Sequence, residues 1–395
     1  MYAKQTKPMR LNGEKINFVE SAENVGMPRS SLGISPTILA RLPAHRNALN
    51  AVLHTGMARG HRGNPAASLK IEQLYALPVL LSGLAPLFLT KKEEGLINQH
   101  HKDTILNLQR LLPCTPTPVV LFLAGTLPGS AHLHLRQLTN FGMITRLSDN
   151  ILHKHALNIF QSGTPPTKSW FHQIHVLCNQ YHLPTPLYLL QFPMLKAPFK
   201  NLIKKKVINY WELVLRAEAS LLKSLIYFKS NFMSLTQAHP IWTTAGSSPS
   251  KVTMATIQAR MLSGRYRTES LCSHWKTKKT GVCLLSPDCS SSVEDIHHIL
   301  STCSALTATR EKLMSYAIQY SSELPVISQL ILKFCTPSSN DFCQFLLDCS
   351  PLSEVISATR LHGSEVHHHL FNITRTWVYT LHKERMKILG RWNII

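Results

Sequence analysis

The stretch FKNLIKKKVINYWELVLRAEASLLKSL, residues 199–225, decides the fold class of this chain. Apolar and aromatic side chains recur in it at intervals of three and four, as in Ile203, Val207 and Trp211. That spacing places them along one face of an α-helix, while most of the lysines among residues 200–206 fall outside the face. The stretch therefore predicts the longest helix of a mainly α chain.

Helical patterns also dominate on both sides of that stretch. We predict further helices over residues 36–53, 68–75, 91–112, 129–160 and 251–262. Near the start, Asn12-Gly13 precedes alternating apolar residues, which is typical of a short β-hairpin. The predicted fold is mainly α, with a short N-terminal β-hairpin, a helical bundle and further helices around a small cysteine- and histidine-rich insert. We divide the chain at these residues: 1–35, 36–165, 166–250, 251–310 and 311–395.

The charge of the chain points to a polyanionic partner. Its 395 residues include 42 Lys and Arg against 21 Asp and Glu, which gives a formal net charge of +21 and a pI near 9.8. Such a surplus favours nucleic acid as the partner, with an acidic membrane surface second. The six aspartates include no adjacent pair, so the sequence offers no carboxylate cluster for the metal pair of a polymerase or nuclease.

The apolar pattern predicts a nuclear or cytoplasmic protein. Residues 1–15 are polar and basic and carry no apolar signal core. The longest apolar stretch, residues 77–89, is interrupted by Pro78 and Pro86, so we expect no membrane-spanning segment. In such a compartment we expect the nine cysteines to be thiols, with one metal site, and not a disulfide framework.

Four cysteine and histidine residues have the spacing of a metal knuckle. Five residues separate Cys283 from Cys289, eight separate Cys289 from His298, and four separate His298 from Cys303. Thiolates and imidazole are the ligands that structural zinc prefers, in a closed tetrahedral set of four. A short loop would join the first two, and a helix predicted over residues 293–300 would supply the third. The implied cofactor is a structural zinc ion.

The spacing also leaves other ligand choices open. His297 is an alternative third ligand, and Cys272 or His274 could replace one of the early ligands. The competing interpretation is that buried free cysteines and ordinary histidines happen to fall at these positions.

The segment around this knuckle resembles a known family. Arg260, the sequence LSGRY at residues 262–266 and the pattern Glu294-x(3)-His298-x(4)-Cys303 resemble the C-terminal region of non-LTR (LINE-type) retrotransposon reverse transcriptases. The resemblance implies His298, and not His297, as the ligand. The gap between Cys283 and Cys289 is wider than the family's usual two or so residues.

Upstream residues extend the resemblance. Residues 75–84 (YALPVLLSGL) and 89–94 resemble the family's thumb region, and residues 11–16 and 25–29 resemble its exit from the palm. The match runs from the N-terminus to about Ser304 and implies that the helical bundle is thumb-like.

The resemblance implies a binding function without catalysis. The family's aromatic-Asp-Asp hairpin is absent from this chain, and Pro287-Asp288 lies inside the knuckle, where a restriction-like nuclease pair would not lie. We expect a non-enzymatic protein that binds template–primer or RNA through the backbone, with little sequence preference. The alternatives are a helical scaffold or interaction protein with incidental charge, and a decayed retrotransposon reading frame without selected function.

Basic residues near the knuckle and in an early turn are the candidate phosphate contacts. They are Arg59, Arg62, Arg260, Arg265, Arg267, Lys276, Lys278 and Lys279. Lys204, Lys205 and Lys206 are further candidates, but we assign them to the solvated face of their helix. Trp275 is the preferred aromatic for stacking on bases and Tyr266 is a further candidate.

Overall fold

A computed structural model gives the fold. It describes residues 10–12, 14–15, 21–24, 27–30, 33–53, 63–277, 280–321, 329, 331, 340–352 and 363–390. The described chain is mainly helical with a small amount of N-terminal strand, which confirms the predicted fold class.

Two short antiparallel hairpins open the described chain. The strands are β1 (Arg10–Leu11), β2 (Glu14–Lys15), β3 (Ser21–Asn24) and β4 (Met27–Ser30), paired β1 with β2 and β3 with β4. Leu11 lies opposite Glu14 in the first hairpin. Asn12, in the connecting turn, has a φ of 50°, a left-handed conformation that asparagine tolerates in two-residue hairpin turns. The predicted N-terminal hairpin is confirmed.

Ten α-helices lie among the described residues between 35 and 220. They are α1 (Ser35–Val52), α2 (Pro65–Ile71), α3 (Leu77–Leu80), α4 (Lys91–Leu108), α5 (Thr117–Ala124), α6 (Gly129–Thr145), α7 (Ile151–Gln161), α8 (Trp170–Gln180), α9 (Pro186–Gln191) and α10 (Lys196–Ser220). A π-helical segment, Glu72–Ala76, joins α2 to α3. The helix predicted over 129–160 is two helices, because the Asn150 side chain accepts the backbone N–H of Leu152 and starts α7 anew.

The core extends across the divisions that the sequence suggests. One cluster of buried apolar side chains runs from Leu69 to Leu381, and a smaller one gathers Ile38, Leu80 and Ile97 beside it. The larger cluster contains side chains on both sides of the predicted divisions after residues 165, 250 and 310, so these segments share one core. The divisions themselves stay predictions. Among the described helices, none alone has the length and apolar character to cross a membrane; α5 and α6, bent by 61°, meet those criteria only as a pair.

The remaining helices surround the cysteine-rich segment. They are α11 (Pro240–Thr243), α12 (Pro249–Leu262), α13 (Glu269–His274), α14 (Thr307–Tyr320), α15 (Asn340–Leu347) and α16 (Gly363–Ile388). The long helix α16 packs against α12, α14 and α15. Its N-terminal two thirds bury Leu370, Phe371 and Trp377 in the common core.

A glycine turn directs the chain from α12 towards the cysteine-rich segment. Gly264 has a φ of +63°, its N–H donates to the Met261 carbonyl at 3.0 Å, and the next N–H, of Arg265, donates to the Arg260 carbonyl at 3.2 Å. This is a Schellman ending of the helix. A Cβ at Gly264 would lie 2.2 Å from the Ser224 carbonyl oxygen, so only glycine fits here.

Candidate metal centre

The structure brings the four predicted metal ligands together. The ligand atoms of Cys283, Cys289, His298 and Cys303 all lie within 4.8 Å of one another, and all four side chains are buried. The Sγ atoms of Cys283 and Cys303 are 3.9 Å apart, close to the ~3.8 Å that tetrahedral geometry gives for two sulfurs at about 2.3 Å from zinc. Over the part of the chain that the structure describes, this is the one group of three or more such residues close enough to share a metal ion.

A small strand bridge positions the first two cysteines. Val282 and Val293 form an antiparallel bridge, and the Cys283 N–H donates to the Ser292 carbonyl at 2.9 Å. Between them a single 3₁₀ turn, Pro287–Cys289, bends the loop back on itself. The wide gap between the first two cysteines is therefore accommodated by a closed loop.

A helical turn supplies the other two ligands. The helix predicted over 293–300 begins only at Ile296, because Val293 is held in the strand bridge. Its π-helical end, His298–Thr302, presents His298, and the Cys303 N–H then donates to the His298 carbonyl at 2.8 Å. One wide turn thus brings the fourth ligand back beside the third.

The imidazole of His298 is oriented for metal binding. Its Nδ1 lies 3.1 Å from the Thr302 hydroxyl, and its buried Nε2 has no hydrogen-bond partner among the described residues. A hydroxyl that accepts the Nδ1 proton leaves Nε2 unprotonated, which is the arrangement of metal-bound histidines. Burial lowers the pKa of His298 and so favours the neutral, ligating form. The sequence reasoning missed Thr302, although its position four residues after a helical ligand is a usable signal.

The three thiols differ in how readily they ionise. Burial raises the pKa of Cys283, and burial together with the nearby Cys283 raises that of Cys303 to about 12. Burial also acts to raise the pKa of Cys289, but hydrogen bonds from Ser304 bring it below its usual value. The Ser304 N–H and hydroxyl lie 3.4 Å and 3.1 Å from that sulfur. A bound cation is what would stabilise all three as thiolates at once.

A buried arginine lies beside the thiols. Arg310 donates from Nη2 to the Cys303 carbonyl at 2.6 Å and is 8% exposed. Three thiolates around a divalent cation carry a net negative charge, which this guanidinium would offset. Arg310 lies outside the ligand spacing, and no pattern in the sequence indicates it.

The alternative ligands have other positions. His297 Nε2 lies 3.2 Å from the Ser301 hydroxyl, and neither Cys272 nor His274 belongs to the ligand group. His274 is exposed at the end of α13. The geometry therefore selects His298 over His297.

Glu294 ties the metal loop to α16. Its carboxylate pairs with the Arg385 guanidinium, both being nearly inaccessible to solvent, and its second oxygen accepts the Glu269 N–H at 3.3 Å. Arg385 also donates to the Tyr266 hydroxyl, which lies 2.6 Å from His382 Nδ1. Tyr266, a predicted base-stacking residue, is instead buried in this network, because its ring packs beneath α16.

The predicted phosphate contacts are distributed unevenly. Four of them lie outside the described residues: Arg59, Arg62, Lys278 and Lys279. Arg260 is half-buried and donates twice to the Arg110 carbonyl, at 2.9 and 3.1 Å. Arg265 is also half-buried, whereas Arg267 and Lys276 are exposed on either side of α13. Trp275, which directly precedes Lys276 in the sequence, is half-buried.

Comparisons with protein-family models, with curated proteins and with solved structures gave no match to this chain. The functional chemistry of the chain rests on the geometry of its own residues. That geometry contains a buried group of three cysteines and one histidine that could hold a metal ion.

Proposed function

We propose that this chain is a zinc-stabilised nucleic-acid-binding protein without catalytic activity, resembling the thumb and C-terminal region of a LINE-type reverse transcriptase. The observation that carries the proposal is the buried ligand group, in which Cys283, Cys289, His298 and Cys303 converge. Three thiolates and one imidazole in a compact closed set suit zinc better than harder cations, which prefer oxygen ligands.

The proposed zinc is structural. Four protein ligands complete a tetrahedral shell and leave no position for an activated water molecule. The ion would hold the loop of Cys289 against the turn of Cys303, and so fix the surface between α13 and α14. This is a scaffolding role, which is why the proposal includes no chemical step.

Charge supports nucleic acid as the partner. The chain carries a formal charge of +21, and the exposed Arg267 and Lys276 flank the short helix that precedes the metal loop. We expect these cations to contact phosphates, which gives affinity with little sequence preference. The proposal implies a nuclear or cytoplasmic location, where such partners are found.

The test is salt-dependent binding of labelled nucleic acids to the zinc-loaded protein. Fluorescence anisotropy would follow an RNA–DNA hybrid, a DNA duplex and a single-stranded RNA, each in two unrelated sequences. We expect similar affinities for the two sequences and a loss of about 10³-fold or more between roughly 50 and 200 mM salt. Absence of binding at low salt would contradict the proposal and favour the helical scaffold.

A further inference from the structure

A cleft separate from the metal centre opens among α2, α3, α6 and α10. Its volume is about 770 Å³. The short segment around Thr236 closes one end, where the chain crosses α5: the His239 N–H donates to the Leu123 carbonyl at 3.0 Å. Gly125, with a φ of +63°, permits that crossing, because a Cβ there would lie 2.0 Å from the Gln237 backbone. The end wall is therefore fixed by backbone contacts.

Each long wall of the cleft is one face of a helical segment. The lining residues recur at intervals of three and four, which places them on a single face. Examples are Lys70 and Leu74 in the α2–α3 segment, His132 and Arg136 in α6, and Lys200 and Lys204 in α10. The cleft is thus built by the packing of these segments and not by loose loops.

The cleft carries positive charge only. Lys70, Lys200 and Lys204 are exposed and Arg136 is half-buried, and no aspartate or glutamate belongs to the lining. Within the described residues none of these four cations forms an ion pair or a side-chain hydrogen bond with a neighbour. Four unpaired cations facing one space repel one another, and an anion placed between them removes that repulsion.

The remaining lining has the chemistry of a sugar–phosphate strand. The amides of Gln73 and Asn140 can hydrogen-bond to phosphate or ribose oxygens. Leucine side chains and an isoleucine provide apolar surface for sugar faces. Because the cations lie on three separate elements, they suit a chain of phosphates better than a single small anion.

We propose that this cleft binds the phosphate backbone of a nucleic acid. The inference rests on the proposed function and gives it a location, since Lys70, Arg136, Lys200 and Lys204 lie apart from the metal loop. Lys70, Arg136 and Lys200 are not among the basic residues that the sequence singles out, and Lys204 is one that the sequence analysis assigns to the solvated face of its helix. The signal in the sequence is the i, i+4 spacing of Lys200 and Lys204, which aligns two cations on one face of a helix.

The experiment compares two fourfold variants of the full chain with equal loss of charge. The cleft variant carries Lys70→Gln, Arg136→Gln, Lys200→Gln and Lys204→Gln. The control variant carries Lys92→Gln, Lys154→Gln, Lys223→Gln and Lys312→Gln, at exposed positions away from the cleft. The probe is the same labelled RNA–DNA hybrid over a range of salt concentrations.

We expect the cleft variant to bind about tenfold or more weakly than the control near 100 mM salt. Its salt slope should fall by about four relative to the wild type, because each lost phosphate contact lowers the slope by roughly one. Circular dichroism and zinc content should match the wild type. Should the Arg136 change prevent folding, the variant with the three exposed cleft lysines replaced is compared with a control that carries only Lys92→Gln, Lys154→Gln and Lys223→Gln.

The outcomes separate this inference from the proposed function. If the wild type binds and both variants weaken equally, the cleft assignment is wrong while the proposed function stands. If the wild type binds no nucleic acid, the proposed function is wrong, and the cleft assignment that rests on it is wrong as well. If the cleft variant keeps its affinity for the hybrid but loses affinity for phosphatidylserine vesicles, the cleft serves a membrane and the inference is overturned.

Discussion

The Glu294 carboxylate and the Arg385 guanidinium form a buried ion pair that joins the metal loop to the last helix, α16. Their side chains are 0% and 3% exposed. Glu294 precedes the ligand His298 by four residues, yet it contacts α16 and the Glu269 N–H and not the ligand group. In the Glu-x(3)-His pattern, therefore, Glu294 anchors the metal loop to α16 and His298 is the ligand.

We predict that Glu294→Gln lowers the free energy of unfolding by about 3–5 kcal/mol, because Arg385 is left charged and buried without its partner. Urea denaturation followed by circular dichroism measures the loss. The control Glu311→Gln, at an exposed position of α14, should change stability by no more than about 0.5 kcal/mol. Wild-type stability in the Glu294 variant would mean that the pair does not anchor the loop.

Gly264→Ala should be much more damaging than Gly246→Ala, although both glycines have nearly the same φ, +63° and +61°. A Cβ at Gly264 meets the Ser224 carbonyl oxygen at 2.2 Å, whereas a Cβ at Gly246 meets nothing within 4 Å. The left-handed conformation alone costs about 1–2 kcal/mol, and the clash adds to it only at Gly264. Equal melting temperatures for the two variants would refute the close approach of Gly264 to the Ser224 carbonyl oxygen.

Stability should fall as the pH drops from about 6.5 towards 4, in part through His382. Burial, with help from Arg385 and Arg260, lowers the pKa of His382 to about 4. The unfolded chain, with an ordinary histidine pKa near 6.5, takes up the proton first, so the stabilisation present above pH 6.5 is lost as the pH falls towards the folded pKa. Protonation also removes the Nδ1 acceptor that faces the Tyr266 hydroxyl.

The comparison with His382→Gln isolates this effect from metal loss in acid. Both proteins share the metal ligands, so the difference in their unfolding free energies reports His382 itself. We expect that difference to shrink by about 1.4 kcal/mol per pH unit inside the window, as measured by urea denaturation from pH 7 to pH 4. A difference that is constant with pH would contradict the assignment.

The metal ligands were predictable because they are local in sequence. A loop and one helical turn bring Cys283, Cys289, His298 and Cys303 together. The spacing of these ligands along the sequence indicates both the loop and the turn. The predicted start of the helix at residue 293 was wrong, because Val293 pairs with Val282 in a strand bridge. A helical pattern in the sequence carries no information about such a bridge.

The anchoring of the site and the basic cleft depend on packing between distant segments. Helical periodicity puts Lys204 outside the apolar face of its helix, but it does not say that the same surface faces Arg136 of α6 across a cleft. Likewise nothing near Glu294 indicates that its partner lies on α16, 91 residues away. Such pairings follow from the assembled core.

The most direct test of the account is the zinc content of the purified full-length protein, measured by inductively coupled plasma mass spectrometry. We predict about one zinc per chain in the wild type and in the controls Cys272→Ser and His297→Gln. Cys289→Ser/Cys303→Ser should lose the zinc together with local folding. A well-folded wild type without zinc, or a double variant that keeps it, would contradict the account.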